Sequence, residues 1–286
     1  MTNYGGLPGE FSGEHNAAIV ILPVPYDETS TWQKGSDKGP DAILEASANM
    51  ELYDIETETE VYLKGIYTSD PVTEKTSPEK MVEAVFFRVR DFLDKGKFPV
   101  VIGGEHSVSI GSIKAFAGHY RDISVLQLDA HSDLRNEYEG SENNHACVMA
   151  RARDVASIVQ VGIRATDSAE LSYMDKERVF FAHQIQENDA WMDRAVELLS
   201  ANVYITIDLD VFDPSIMPST GTPEPGGMGW YQSLRFLEKV VAKKNLVGFD
   251  VVELCPAASN KAPDFMTAKL IYRILSMHFS KNTPRK

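Results

Sequence analysis

Cysteine is scarce: Cys147 and Cys255 are the only two in 286 residues. Two thiols cannot build the bridge framework of a small secreted fold, and a reducing cytoplasm is the expected home. Basic charge is short as well. Lys and Arg number 28 against 42 Asp and Glu, a formal charge of −14. Such a chain repels nucleic-acid phosphates and anionic lipid, so neither is an expected partner, while a small cation is tolerated. No apolar run approaches the ~18 residues of a membrane helix. The opening Met1-Thr2-Asn3-Tyr4-Gly5-Gly6 lacks the basic start and apolar stretch of a secretory signal. Tandem repeats and Pro/Gly/Ser-rich linkers are missing too, so one domain over residues 1–286 is expected.

What recurs is a short β-rich apolar run followed by an amphipathic stretch. The runs cover residues 17–22, 61–67, 98–102, 123–128, 157–161, 178–182, 203–207 and 246–251. Most are continuous rather than alternating, as in strands buried on both faces. Between them, Ser77 can cap a helix opening at Pro78, with Met81, Val85, Val89 and Phe92 as its apolar stripe and Gly96 as its stop. Residues 190–201, 230–243 and 263–279 read as helices in the same way. The alternation implies an α/β fold, a mostly parallel sheet with helices on both faces, with ligands beyond the carboxyl ends of the strands.

Three of those strand ends carry metal-type residues. Residues 98–102 run into Gly103-Gly104-Glu105-His106-Ser107, where the two glycines would let the chain turn sharply and set His106 at the rim. Residues 123–128 lead to Asp129-Ala130-His131-Ser132-Asp133, whose side chains at i, i+2 and i+4 share a face of an extended chain. Residues 203–207 lead to Asp208-Leu209-Asp210-Val211-Phe212-Asp213-Pro214, in which Asp213 suits a structural turn. Carboxylates crowded beside imidazoles repel one another unless a cation intervenes. His106, Asp129, His131, Asp133, Asp208 and Asp210 are too many for one closed zinc site and suit two bridged cations. The oxygen-rich set favours Mn²⁺, with Zn²⁺ and Co²⁺ behind it.

These three blocks resemble the signatures of the ureohydrolases, the arginase and agmatinase family. The segment Ser219-Thr220-Gly221-Thr222-Pro223-Glu224-Pro225-Gly226-Gly227, the segment Val251-Val252-Glu253-Leu254-Cys255-Pro256, and the early Pro25-Tyr26-Asp27 and Gly35-Ser36-Asp37-Lys38-Gly39-Pro40 extend the likeness over residues 17–279. The resemblance implies a three-layer α/β/α fold with an eight-stranded sheet, in keeping with the eight apolar runs. It implies two Mn²⁺ ions, one held by His106, Asp129, Asp133 and Asp208, the other by Asp129, His131, Asp208 and Asp210. It also implies hydrolysis of a guanidinium C–N bond to urea and an amine, and a homotrimer or homohexamer. His145 would be the general acid or proton shuttle, Glu253 would orient the guanidinium, and Thr222 would support it.

The substrate is less sharply written. The loop 134–144, with Arg135, Tyr138-Glu139-Gly140 and its spacing to His145, looks more like an agmatinase than an arginase. Against that, Ala146 and Cys147 stand where agmatinases usually carry Gly then Thr or Ser; Cys147 reads as a packing residue. Asp167 and Glu170 resemble positions that contact the α-amino group of arginine. Agmatine therefore ranks first, arginine second and guanidinobutyrate-type acids third. Three other readings are weaker. A metallophosphatase needs Gly-Asp and Gly-Asn-His segments that the sequence lacks. A one-zinc deacetylase relative has no use for His106 and Asp133. A non-catalytic metal-binding subunit would be expected to have lost some of these residues.

Overall fold

The computed structural model describes residues 2–280; Met1 and residues 281–286, the ends of the expected domain, lie outside the described residues. Eight strands form one sheet: β1 Ile19–Val24, β2 Ile66–Thr68, β3 Phe98–Gly103, β4 Ile123–Leu128, β5 Ser157–Ile163, β6 Val179–Phe181, β7 Asn202–Asp208 and β8 Asn245–Val252. Their order across the sheet is β2-β1-β3-β8-β7-β4-β5-β6, and every neighbouring pair is parallel. The expected eight-stranded α/β/α architecture is met, with a sheet that is parallel throughout.

The helices are α1 Gly9–Ser12, α2 Gly39–Ser47, α3 Pro78–Asp94, α4 Val108–His119, α5 Val148–Arg153, α6 Ala182–Ile185, α7 Ala190–Leu198, α8 Trp230–Lys243 and α9 Ala262–Ser280. Alternate strand residues feed two apolar layers. Ile19, Val100, Leu126, Ile205 and Phe249 pack with α2, α7, α8 and α9. Val20, Val101, Val125 and Val247 pack with α3, α4 and α5. Both faces of each central strand are therefore apolar, which is why the runs are continuous. In α3, Ser77 Oγ accepts the Lys80 N–H at 3.3 Å, and Met81, Val85, Val89 and Phe92 are buried.

Differences from the sequence reading fall at edges. Residues 61–67 divide into a 3₁₀ turn, Val61–Lys64, and the three-residue edge strand β2. Gly65 separates them at φ 74°, where an added Cβ would lie 2.6 Å from Ala17 Cα. The run 178–182 shortens to β6, the opposite edge. Short edge strands leave few unpaired backbone groups for another chain to pair with. Helix α7 stops at Leu198 because Leu199 turns extended and buries itself, while Ser200 N–H donates to Ser124 Oγ at 2.6 Å. Helix α4 showed no stripe in the sequence because nearly all its sides are covered, Ser109, Gly111 and Ser112 included.

Candidate metal centre and substrate pocket

The sheet order places the three acid- and imidazole-bearing strand ends, and a fourth, side by side. Strands β3, β8, β7 and β4 are consecutive neighbours, and their carboxyl ends deliver His106, Glu253, Asp208 with Asp210, and Asp129 with His131 and Asp133. Tight contacts fix the β3 end. Neither Gly103 nor Gly104 has a positive φ, so a sharp turn is not what they supply. A Cβ on Gly104 would sit 2.0 Å from Tyr26 O, and one on Gly103 would sit 2.4 Å from Val108 Cγ2. Close approach of neighbouring chain is what demands glycine there.

Around His106 Nδ1 lie Asp133 Oδ2 at 3.0 Å, Asp129 Oδ2 at 3.1 Å and Asp208 Oδ2 at 3.5 Å. None is aligned as a hydrogen bond, so this fully buried nitrogen is left unpartnered. Such a nitrogen facing three carboxylate oxygens suits a shared cation better than a proton. His131 Nδ1 lies 2.9 Å from Asp210 Oδ2 and 3.6 Å from Asp129 Oδ1. Two donor sets result, His106/Asp129/Asp208 and Asp129/His131/Asp210, with the atoms of each within 4.8 Å of one another and Asp129 common to both. Asp133 joins the first through its contact with His106.

The donors are braced from behind. His106 Nε2 faces Thr206 Oγ1 at 2.9 Å, and Thr206 donates to Asp250 Oδ1 at 2.7 Å. Gln127 Nε2 donates to Asp129 Oδ2 at 2.6 Å, and Gln160 in turn donates to Gln127 Oε1 at 2.6 Å. Backbone N–H groups of His131 and Asp210 hold Asp129 Oδ1 and Asp208 Oδ1 at 2.6 and 2.9 Å. Asp133 and Glu253 adopt φ of 51° and 67°, a left-handed backbone that non-glycine residues rarely take.

The electrostatics call for positive charge. Burial, then the charges of Asp210 and Asp129, push Asp208 well above the usual carboxylate range. Burial and the Asp129 charge push Asp133 up to about 7. Burial works against charge on His106, yet Asp129 and Asp133 outweigh it and hold its pKa well above the ordinary value. His131 behaves likewise beside Asp210 and Asp129. With protons alone to balance them, the carboxylates compete for charge that divalent ions would supply.

Next to these donors opens a cavity of about 340 Å³. Glu253 is in its wall. Its Oε1 accepts the His106 N–H at 2.7 Å, and no cationic side chain pairs with it among the described residues. Burial, then the charge of Glu105, pushes its pKa well above the ordinary value. His145 also lines the cavity; burial first, then the charges of His106 and His131, lowers it to about 4. Thr222 lies exposed on the rim. Asp167 and Glu170 line the wall too, but they grip Arg135: Oδ2 of Asp167 accepts from Nη2 and Oε1 of Glu170 from Nε, both at 3.1 Å. Arg135 also stacks 4.5 Å above the Tyr138 ring. Asp213 is structural, its Oδ2 accepting the Gly226 N–H at 2.9 Å. Cys147 is buried, and burial pushes its thiol up to about 11, as suits packing.

The arginase family profile matches residues 17–277. The chain belongs to the arginase family. It is similar to the N(1)-aminopropylagmatine ureohydrolase of Synechocystis sp., 38% identical over 271 residues and covering 91% of this chain and 89% of that one. It is 30% identical to the agmatinase of Pyrococcus horikoshii, covering 92% of each. Among solved structures, the agmatine ureohydrolase of Thermoplasma volcanium superposes with a TM-score of 0.87 at 30% identity, covering 98% of this chain and 95% of that one. These relatives are named as hydrolases, and this arginase-family chain is an enzyme of that class. Among the described residues no helix is long and apolar enough to cross a membrane.

Proposed function

We propose that this ureohydrolase hydrolyses the guanidinium group of agmatine or an agmatine derivative, releasing urea and a polyamine such as putrescine. One observation carries the reading. The buried Glu253 carboxylate has no cationic partner, while Arg135, the single guanidinium or ammonium among the described lining residues, is already committed to Asp167 and Glu170. The pocket therefore offers a cation site and no free basic group for the α-carboxylate of arginine or the acid of guanidinobutyrate. The same pairing leaves Asp167 little capacity to take an α-amino group.

Two Mn²⁺ ions would be held by the two donor sets, one by His106, Asp129, Asp133 and Asp208, the other by Asp129, His131 and Asp210, with Asp208 also at hand. The chemistry they would supply when bound is activation of the water that attacks the guanidinium carbon. The chain does the rest. Glu253 accepts hydrogen bonds from the guanidinium and fixes its plane, and Thr222 supports it from the rim. His145, neutral at pH 7, would accept on the pocket side the proton released as water attacks the guanidinium carbon. The imidazolium so formed is a strong acid and hands that proton to the leaving nitrogen. A cytoplasmic homotrimer or homohexamer belongs to the same proposal, by likeness to the family.

An N(1)-aminopropylated agmatine is a second candidate, favoured by the relatives at 37–38% identity that are named for it. A urea-release panel with Mn²⁺ tests the proposal on agmatine, N(1)-aminopropylagmatine, arginine and guanidinobutyrate. Urea from one or both of the first two is expected, at kcat/KM at least ~100-fold above the acids. Urea from none of them, or arginine as the best substrate, overturns it.

A further inference from the structure

Beside the site lies a fully buried carboxylate to which the reaction above gives no task. Glu105, between Gly104 and His106, has no ion pair among the described residues; four donors surround it instead. Oε2 accepts the backbone N–H of Thr29 at 2.6 Å and of Ser30 at 2.8 Å. Oε1 accepts the hydroxyls of Ser107 at 2.6 Å and Thr29 at 2.5 Å. Four donors occupy the acceptor sites of a carboxylate, so Glu105 has no role left but to accept.

The consequence passes through Thr29. Its hydroxyl has one proton, and that proton is spent on Glu105. Its lone pairs face His145, whose backbone N–H lies at 3.1 Å and whose Nδ1 lies at 3.2 Å. An oxygen that has already donated can only accept, so the proton between Thr29 and His145 must sit on Nδ1. Nε2 is then the bare nitrogen.

We infer that Glu105 and Thr29 are positioning residues that fix the tautomer and the ring orientation of His145. The carboxylate–hydroxyl–imidazole chain holds Nδ1–H in place and leaves the Nε2 lone pair to take a proton. When Nε2 is protonated, the Glu105 charge, one hydroxyl away, steadies the imidazolium until Nε2–H passes its proton to the leaving amine. The logic is that of a carboxylate orienting a catalytic histidine, with a threonine hydroxyl interposed. The inference rests on the reading of His145 as the proton relay. The alternative is that Glu105 merely ties the loop around Thr29 and Ser30 to the end of β3.

Thr29→Val keeps the shape and removes the hydroxyl; Thr29→Ser restores it. The tautomer is read first, by ¹⁵N NMR of histidine-labelled protein loaded with diamagnetic Zn²⁺, the His145 resonances being assigned by their loss in His145→Ala. Wild type and Thr29→Ser are expected to show Nδ1–H, and Thr29→Val to show a mixture or Nε2–H. In the Mn²⁺ enzyme, Thr29→Val is expected to lower kcat about 10–100-fold with KM within about twofold, and Thr29→Ser to recover most of it. Nε2–H in wild type overturns the inference without any variant, and so does unchanged kcat in Thr29→Val. A Thr29-dependent tautomer together with full activity in His145→Ala would overturn the relay reading, and with it the catalytic part of the inference, while the hydrogen-bond assignment stood.

Discussion

In the proposed reaction Glu253 divides its carboxylate between two tasks. One oxygen holds the backbone of His106, and the other remains for the pocket. Glu253→Gln keeps an acceptor for His106 and removes the charge. The variant is expected to fold, keep its metal and lose roughly 2–5 kcal/mol in kcat/KM, the range for breaking a buried charged pair. Steady-state kinetics with metal analysis check both halves. Asp129 is shared by both donor sets. Asp129→Asn is expected to lose both ions together, so that metal content measured after gel filtration falls with urea release; activity retained at full metal loading would refute the assignment. At this scale much was legible, because i, i+2 spacing after a buried strand is a periodic signal that needs no tertiary knowledge. Thr29 and Glu105 were not legible as partners. They lie 76 positions apart in the chain, and nothing periodic joins them. The one available signal was a charged residue, Glu105, inside a segment otherwise fit for burial. The commitment of Asp167 and Glu170 to Arg135 was hidden for the same reason.

The elements meet the site through loops, and the loop after β1 depends on Asp27. Its Oδ1 accepts from Ser30, and its Oδ2 accepts the N–H groups of Gly35 and Ser36 at 2.6 and 3.2 Å. Burial opposes its charge, but the Ser30 hydroxyl and the Gly35 N–H outweigh burial and hold its pKa below the ordinary value of 3.8. A depressed folded pKa contributes stability that is present above the unfolded value and is lost as pH falls through the folded one. Asp27→Asn is therefore expected to cost about 1–3 kcal/mol near pH 7, with the gap from wild type closing below pH ~4. Urea denaturation at several pH values measures it. Element existence was read well where both strand faces are apolar and where α3 has a single stripe. The order β3-β8-β7-β4 could not be read, since adjacency of strands so far apart in the chain is settled by packing of both helical layers. Helix α4, covered on nearly all sides, offered no period to read.

Across the whole molecule, four of the 42 acids, Asp129, Asp133, Asp208 and Asp210, lie in the candidate donor sets, and two divalent ions there would bring the formal charge from −14 to about −10. The rest is mostly solvated surface, whose field is screened beyond a Debye length of about 10 Å at 0.1 M salt. A dicationic substrate such as the proposed agmatine should feel it weakly. The kcat/KM is expected to fall severalfold between low salt and ~0.5 M, with kcat nearly constant. No change with salt would show that the surface charge plays no part in capture, and a rise would show that it opposes it.

The left-handed backbone at Asp133 and Glu253 has a consequence for how this chain can change. Glycine would relax either position, since it takes φ near 51° or 67° freely, at the loss of a proposed site side chain and, at 253, of the acceptor for the His106 N–H. At these two positions, selection for robustness and selection for turnover pull apart. A library randomised there and screened for thermal tolerance alone is expected to enrich glycine. Its survivors would be sturdy, well-folded bystanders: the easiest route to a hardier protein here runs through the loss of its trade.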